Sequence, residues 1–149
     1  MNIEARNLLG LVYYEMGEVT QALTEWVISK NLKPEKNLAD KYIASVQNSP
    51  NLMDNLNQAL RKYNQALAYC EQGSQDMAMI QLKKVLSLNS NLVKGHQLLA
   101  LLYLEDGQLE KAKKSLRNAG KIDTDNTTTL RYLKEVNRRL KEKGKDKKP

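Results

Sequence analysis

The sequence has few of the residues on which most active sites depend. Its 149 residues include no Phe, one Trp, one His, one Cys and three Pro. The single cysteine, Cys70, cannot form an internal disulfide, and the single histidine, His96, leaves no Cys/His set with zinc-ligand spacing. Because helix breakers are rare and β-branched residues form no alternating runs, we expect helix along nearly the whole chain.

Long apolar runs and targeting signals are also missing. The longest apolar run, Leu98 to Leu104, has seven residues, whereas a membrane-spanning helix needs about 20. The first residues lack the basic and then apolar pattern of a signal peptide. Together with the lack of disulfides, these features predict a cytoplasmic protein.

Positive charge is concentrated at the C-terminal end. The net charge is +7, and residues 131–149 carry nine basic and three acidic residues, against 15 basic and 14 acidic residues in 1–130. The body is therefore nearly neutral, which argues against a nucleic-acid partner for it. We expect the basic segment 143–149 to be a flexible tail.

One ten-residue sequence motif occurs three times in similar form. It reads LLGLVYYEMG at 8–17, NQALAYCEQG at 64–73 and LLALLYLEDG at 98–107. The last two copies are 34 residues apart, and the first precedes the second by 56, which is one period plus 22 residues. Recurrence at a fixed period indicates a repeat architecture. The residues that recur are Tyr13, Tyr69 and Tyr103; Gly17, Gly73 and Gly107; and Ala22, Ala78 and Ala112.

This pattern resembles the tetratricopeptide repeat, a helix–turn–helix unit, with copies at about 3–36, 59–92 and 93–126. Leu9, Gly10 and Trp26 of the first copy also match the family pattern. The resemblance implies an all-α, right-handed solenoid of three helix pairs. In its insertion and its ending, the chain further resembles cytoplasmic repeat domains of bacterial proteins that continue into a membrane-spanning helix.

The 22 surplus residues, 37–58, predict additional helix. Their apolar residues are spaced as on one helix face and predict an inserted helix at about 35–47. Ser49 followed by Pro50 predicts a helix start, and the pattern then continues to about residue 72. That helix would extend roughly 33 Å, about two turns more than the first helix of an ordinary repeat.

A last helix is predicted after the third copy. An apolar stripe from Leu130 to Leu140 predicts a capping helix at about 126–142, with Asp125 as its N-cap. Residues 1–142 should therefore form one domain.

The sequence offers no catalytic constellation. Cys70 and His96 occupy repeat positions eight apart on helices that run in the same direction, so about 12 Å should separate them along the axis. That distance excludes a nucleophile–base pair. We expect no enzyme, no cofactor, no metal and no small-molecule substrate.

The resemblance implies a protein or peptide partner in the concave groove that the first helices of the repeats line. The co-chaperone subgroup of the family grips a ligand carboxylate there, but this chain has Leu11 and Leu98 at two of the places concerned, so we expect an apolar or basic ligand. The positions predicted to face the groove are Asn7, Leu11, Tyr14 and Glu15; Leu60, Tyr63, Leu67, Cys70 and Glu71; and Lys94, Gln97, Leu101, Leu104 and Glu105.

Three alternatives stay open. The groove leucines Leu11, Leu67 and Leu101 could be buried by the inserted helix or by a second copy in a structural homodimer. The basic tail could bind an anionic membrane surface or a phosphate backbone. The chain could also be the cytoplasmic part of a membrane-anchored protein.

Overall fold

The computed structural model describes residues 2–146, which form eight α-helices and no strand. None of these helices is both long and apolar enough to cross a membrane. The prediction of an all-α solenoid of helix pairs is confirmed. The helices are α1 (Ile3–Glu15), α2 (Val19–Leu32), α3 (Ala39–Gln47), α4 (Pro50–Glu71), α5 (Gln75–Leu88), α6 (Val93–Glu105), α7 (Leu109–Ile122) and α8 (Thr127–Asp146).

Three tight turns create the three helix pairs, α1–α2, α4–α5 and α6–α7. Each turn contains a glycine in the left-handed region, with φ of 77° at Gly17, 78° at Gly73 and 76° at Gly107. In the first turn the Glu18 N–H donates to the Tyr13 carbonyl at 2.8 Å, which satisfies a carbonyl at the helix end. Helix α3 packs on α2 as α6 packs on α5 and α8 packs on α7.

The helix starts depend on different residues. Asn2 caps α1 by accepting a bond from the Ala5 N–H at 3.2 Å. Asn126, and not the predicted Asp125, caps α8, because its Oδ1 accepts from the Thr129 N–H at 3.1 Å. Ser49 precedes Pro50 at the start of α4 but makes no capping bond with its side chain.

Helix α3 begins at Ala39, whereas the predicted helix began at about 35. The side chain of Asn37 organises the loop before it: Nδ2 donates to the carbonyls of Ser29 and Lys33, both at 3.1 Å, and Oδ1 accepts from the Ala39 N–H at 3.0 Å. These bonds hold the backbone out of a helix until Ala39.

Helix α8 ends at Asp146, four residues inside the segment predicted as a tail. Ion pairs spaced three and four residues apart link Arg138 to Glu135 and Glu142, and Lys143 and Lys145 lie in the last turn, where cations are favoured. Both features support helix where composition alone predicted none. The rest of the predicted tail, 147–149, lies outside the described residues.

Three core clusters follow one another along the chain. The first joins α1, α2 and α3 around Trp26, which is 1% exposed. The second joins α4, α5 and α6 around Leu82, and the third joins α6, α7 and α8 around Leu116. Helix α4 contributes to two of them, because Met53 and Leu56 near its start pack against the first cluster.

The turn between α1 and α2 contacts the loop between α5 and α6. The Val93 N–H donates to the Met16 carbonyl at 3.2 Å, and Asn89 Nδ2 donates to the Gly17 carbonyl at 3.1 Å. Lys94 forms an ion pair with Glu18 at 3.4 Å. The N-terminal helices therefore meet the rest of the array through this junction as well as through α4.

Candidate partner-binding groove

Helix α4 presents one continuous strip of mostly apolar side chains, which we call the α4 strip: Leu56, Leu60, Tyr63, Leu67 and Cys70. Their spacing of four, three, four and three residues places them on one helix face. Leu60 is 41% exposed and Leu67 is 36% exposed, whereas Tyr63 and Cys70 are half-buried. The strip is therefore accessible although it is apolar.

Helices α6 and α8 continue the surface beside the α4 strip. The Lys94 ammonium lies 5.0 Å from the centre of the Tyr63 ring, which connects α6 to α4. Gln97 Nε2 donates to Asn126 Oδ1 at 3.0 Å and to Thr129 Oγ1 at 2.9 Å, which connects α6 to the start of α8. Helices α4, α6 and α8 thus line one side of the molecule, which we call the groove.

Burial and negative charge both affect Tyr63. Burial raises the pKa of its hydroxyl, and the charges of Glu18, Cys70 and Tyr132 raise that pKa further. Tyr132 lies on α8, which packs against α7 and also contacts α6.

The other end of the α4 strip is acidic. Burial raises the pKa of the Cys70 thiol, followed by the charges of Glu105 and Glu71. Both glutamates are exposed, and neither forms an ion pair with another described residue. This end of the groove therefore attracts positive charge and does not activate the thiol, because a raised pKa leaves less thiolate.

A cavity of about 180 Å³ opens at the end of the α4 strip where α4 meets the N-terminal helices. Leu56 and Leu60 line it from α4, Val19 from α2 and Leu92 from the α5–α6 loop, with Lys94 at its edge. This volume can hold a single apolar side chain.

The predicted groove residues fall into separate environments. Asn7 is buried, and its Nδ2 donates to Asn37 Oδ1 at 2.8 Å. Leu11 and Tyr14 pack against the first core cluster, and Glu15 is exposed on α1. The structure thus directs Asn7, Leu11 and Tyr14 toward α2 and α3, whereas the residues predicted on α4 belong to the α4 strip or, in the case of Glu71, to its acidic end.

The residues predicted on α6 also divide. Lys94 and Gln97 are engaged in the contacts given above, and Glu105 forms part of the acidic end. Leu104 is buried at 7% exposure, and Leu101 is half-buried against the third cluster. Of the predicted leucines, Leu60 and Leu67 keep the most exposed surface.

The residues that carry the repeat pattern pack between helices. Ala22, Ala78 and Ala112 are fully buried. Gly10 faces the Trp26 indole so closely that any side chain at position 10 would overlap it. Tyr13, Tyr69 and Tyr103 are half-buried, whereas Leu9 is 38% exposed.

Sequence reasoning missed two groove residues, Tyr132 and Glu18. Tyr132 stands in the apolar pattern of α8, and its electrostatic effect on the pKa of Tyr63 depends on how α8 packs against α6 and α7. No sequence pattern indicates a role for Glu18, because its contact with Lys94 depends on where the first helix pair packs against the α5–α6 loop.

Within residues 2–146, no group of three or more His, Cys, Asp or Glu side chains is arranged to hold a metal ion. His96 Nε2 lies 2.7 Å from the Ser90 carbonyl, which acts as its acceptor. The histidine is thus used in a packing contact beside α6.

Residues 93–126, which contain α6 and α7, match the tetratricopeptide repeat family. The chain carries a tetratricopeptide repeat. The tetratricopeptide-repeat fold extends beyond this match: the chain is similar to the structure titled "First TPR of Spaghetti (RPAP3) bound to HSP90 peptide SRMEEVD", with a TM-score of 0.53 and 15% identity, covering 93% of this chain and 92% of that chain. No curated protein sequence matches the chain. The predicted tetratricopeptide repeats are confirmed as a fold, and the cytoplasmic location stays a prediction.

Proposed function

We propose that the chain is a non-catalytic interaction scaffold that binds a peptide or a helix of a partner protein in the groove. The observation that carries this proposal is the α4 strip, in which Leu60 and Leu67 remain exposed between half-buried Tyr63 and Cys70. An apolar surface with a polar rim suits an apolar ligand face. Because α4 is packed against α5 and α3, the strip is held in a fixed helix, which lowers the ordering cost of binding.

The charges around the groove favour a ligand that is apolar and basic. Glu71 and Glu105 form no ion pair with another described residue at one end, whereas Lys94 at the other end is already paired with Glu18. The similar solved domain is titled as bound to the peptide SRMEEVD, which has three acidic side chains. In this chain Asn7 is buried against Asn37, so it is not available to a ligand carboxylate.

Selection from a peptide library displayed on phage would test the proposal, with the full chain as bait. We expect enriched peptides to combine large apolar residues with Lys or Arg. Leu67→Glu should abolish their binding, because it places a charge in the middle of the α4 strip. Ile80→Glu is the matched control, since Ile80 is 49% exposed on α5, outside the groove.

Equal binding of the selected peptides to the Leu67→Glu variant and to the unmodified chain would contradict the groove as the binding site. Tight binding of SRMEEVD would contradict the preference for a basic ligand, because it would show that the acidic end does not determine the ligand. Sedimentation of both variants distinguishes a third arrangement: a dimer that Leu67→Glu dissociates would make the groove a contact between two copies.

A further inference from the structure

Positive charge is concentrated on the last two helices, which the groove uses only in part. Residues 109–146, which form these helices, contain 12 basic and 6 acidic residues, a net charge of +6, whereas residues 1–108 contain 10 basic and 11 acidic residues, a net charge of −1. The boundary falls at the turn between α6 and α7. The fold therefore separates a weakly acidic part from a strongly basic one.

The basic residues form two rows at helical spacing. On α7 the row follows an i, i+3, i+7 pattern, and on α8 it follows i, i+3, i+7, i+10, i+14 and extends about 21 Å. All members are exposed, and each row lies opposite the buried residues of its helix. This surface, which we call the basic face, consists of Lys114, Arg117 and Lys121 on α7 and Arg131, Lys134, Arg138, Lys141 and Lys145 on α8.

Most of this charge is not neutralised. Arg138 is paired with Glu135 and Glu142. Among the described residues, no ion pair involves Lys114, Arg117, Lys121, Lys134 or Lys141. Like charges one helical turn apart destabilise a helix, so packing within the protein does not account for the two rows.

Two basic rows on neighbouring helices suit a broad anionic surface better than a groove in a duplex. A helix with its side chains is about 10–12 Å across, close to the 12 Å width of the DNA major groove. Because α7 packs beside α8 and carries its own row, neither helix can enter such a groove alone. Leu130, 51% exposed, is the one large apolar side chain that is exposed on the described part of α8, so deep insertion into a bilayer is not expected either.

We propose that the basic face docks on the surface of an anionic bilayer and binds the negatively charged headgroups of lipids such as phosphatidylserine. Clusters of four to eight Lys and Arg residues bind such surfaces electrostatically. Thr129, which accepts a hydrogen bond from Gln97 on the groove side, is nine residues from Arg138 of the basic face, and nine residues are two and a half helical turns. The groove therefore opens on the side of α8 away from the bilayer and can hold a ligand while the protein is docked.

Flotation of the full chain with lipid vesicles tests this proposal. We expect binding to vesicles of phosphatidylcholine and phosphatidylserine in a 3:1 ratio, no binding to pure phosphatidylcholine, and release at high salt as the Debye length shrinks. Replacing Lys114, Arg117, Lys134 and Lys141 by Gln should weaken partitioning about fivefold per residue, several hundredfold in all. Gln favours helix, and circular dichroism would verify that the variant is folded.

A charge-matched variant provides the control. Lys33, Lys41, Arg61 and Lys84 are exposed outside the basic face, and changing all four to Gln removes the same net charge. This variant should bind anionic vesicles with nearly unchanged affinity. Equal losses in the two variants would overturn the proposal, because net charge alone would then explain binding.

Nucleic acid is the competing partner, and a duplex RNA fragment and a duplex DNA fragment serve as its probes. If either fragment bound more tightly than the vesicles at the same salt and displaced the protein from them, the proposal would be overturned in favour of a phosphate backbone. Retention on the vesicles in the presence of both fragments would support the membrane surface.

Discussion

The N-terminal helices α1–α3 and the helices α4–α8 bury their core residues in different ways. In the N-terminal region one large side chain, Trp26, fills the space that Gly10 leaves, and it contacts Tyr14 and Tyr42 with ring centres 6.2 and 5.3 Å away. The clusters of α4–α8 contain no Trp and rely on Leu, Val and Ala in two successive layers. The same repeat pattern therefore allows a core built around one large side chain and a core built from many smaller side chains.

The two regions also differ in how they continue the array. Helices α4–α8 share cores from one helix pair to the next through α6, which belongs to both of their clusters. The N-terminal region is joined through Met53 and Leu56 of α4 and through the turn at Gly17. In a nearest-neighbour array such a junction should be the weakest link.

The largest effect is expected from Trp26→Ala, which should lower the free energy of unfolding by about 3–5 kcal/mol. The indole is 1% exposed, and its Nε1 donates to the Asn7 carbonyl at 3.1 Å, so the change leaves a cavity and removes this hydrogen bond. Hydrogen exchange should show α1–α3 losing protection while α4–α8 keep theirs. In Leu116→Ala, which changes the third cluster, α4–α8 should lose protection while α1–α3 keep theirs. Uniform loss over all eight helices in both variants would show a single cooperative unit instead.

Most helices of both regions could be predicted from the sequence. The glycines and alanines of the 34-residue pattern predicted the helix pairs, and Ser49-Pro50 predicted the start of the long α4. These features depend on neighbours within one repeat, where period and spacing carry the information.

The contacts between repeats could not be predicted in the same way. Val93 bonds to the Met16 carbonyl across 77 positions of sequence, and Glu18 pairs with Lys94, because α4 carries the first helix pair to the α5–α6 loop. No local pattern encodes this placement. Asn7 and Leu11, which a regular stack would place in the groove, likewise lie toward α2 and α3.

The contribution of the junction to stability can be measured separately by comparing the free energies of unfolding of Gly17→Ala and Gly107→Ala. Both glycines adopt positive φ, so each substitution should cost about 1–2 kcal/mol for the left-handed backbone. A methyl group at Gly17 would also lie 2.9 Å from the backbone N and Cα of Leu92, whereas nothing lies within 4 Å of one at Gly107. We expect an additional cost of about 1–3 kcal/mol at Gly17, measured by urea unfolding. Equal costs would show that the junction does not stabilise the array.

The smallest effect concerns ion pairs, which again differ between the regions. In the N-terminal region they join different helices, as Arg6 and Glu25 do at 2.7 Å, whereas those of α8 lie within one helix. Hydrogen bonds from Arg138 and Arg139 lower the pKa of Glu135 from 4.5 to about 2. Because this pKa is lowered in the folded state, the stabilisation is present above pH 4.5 and is lost as the pH falls through 2. An NMR titration of the Glu135 carboxyl should give a midpoint near 2, and the slightly lower melting temperature of Glu135→Gln at pH 7 should converge on that of the unmodified chain in acid. A midpoint near 4.5 would show that these exposed pairs do not persist in solution.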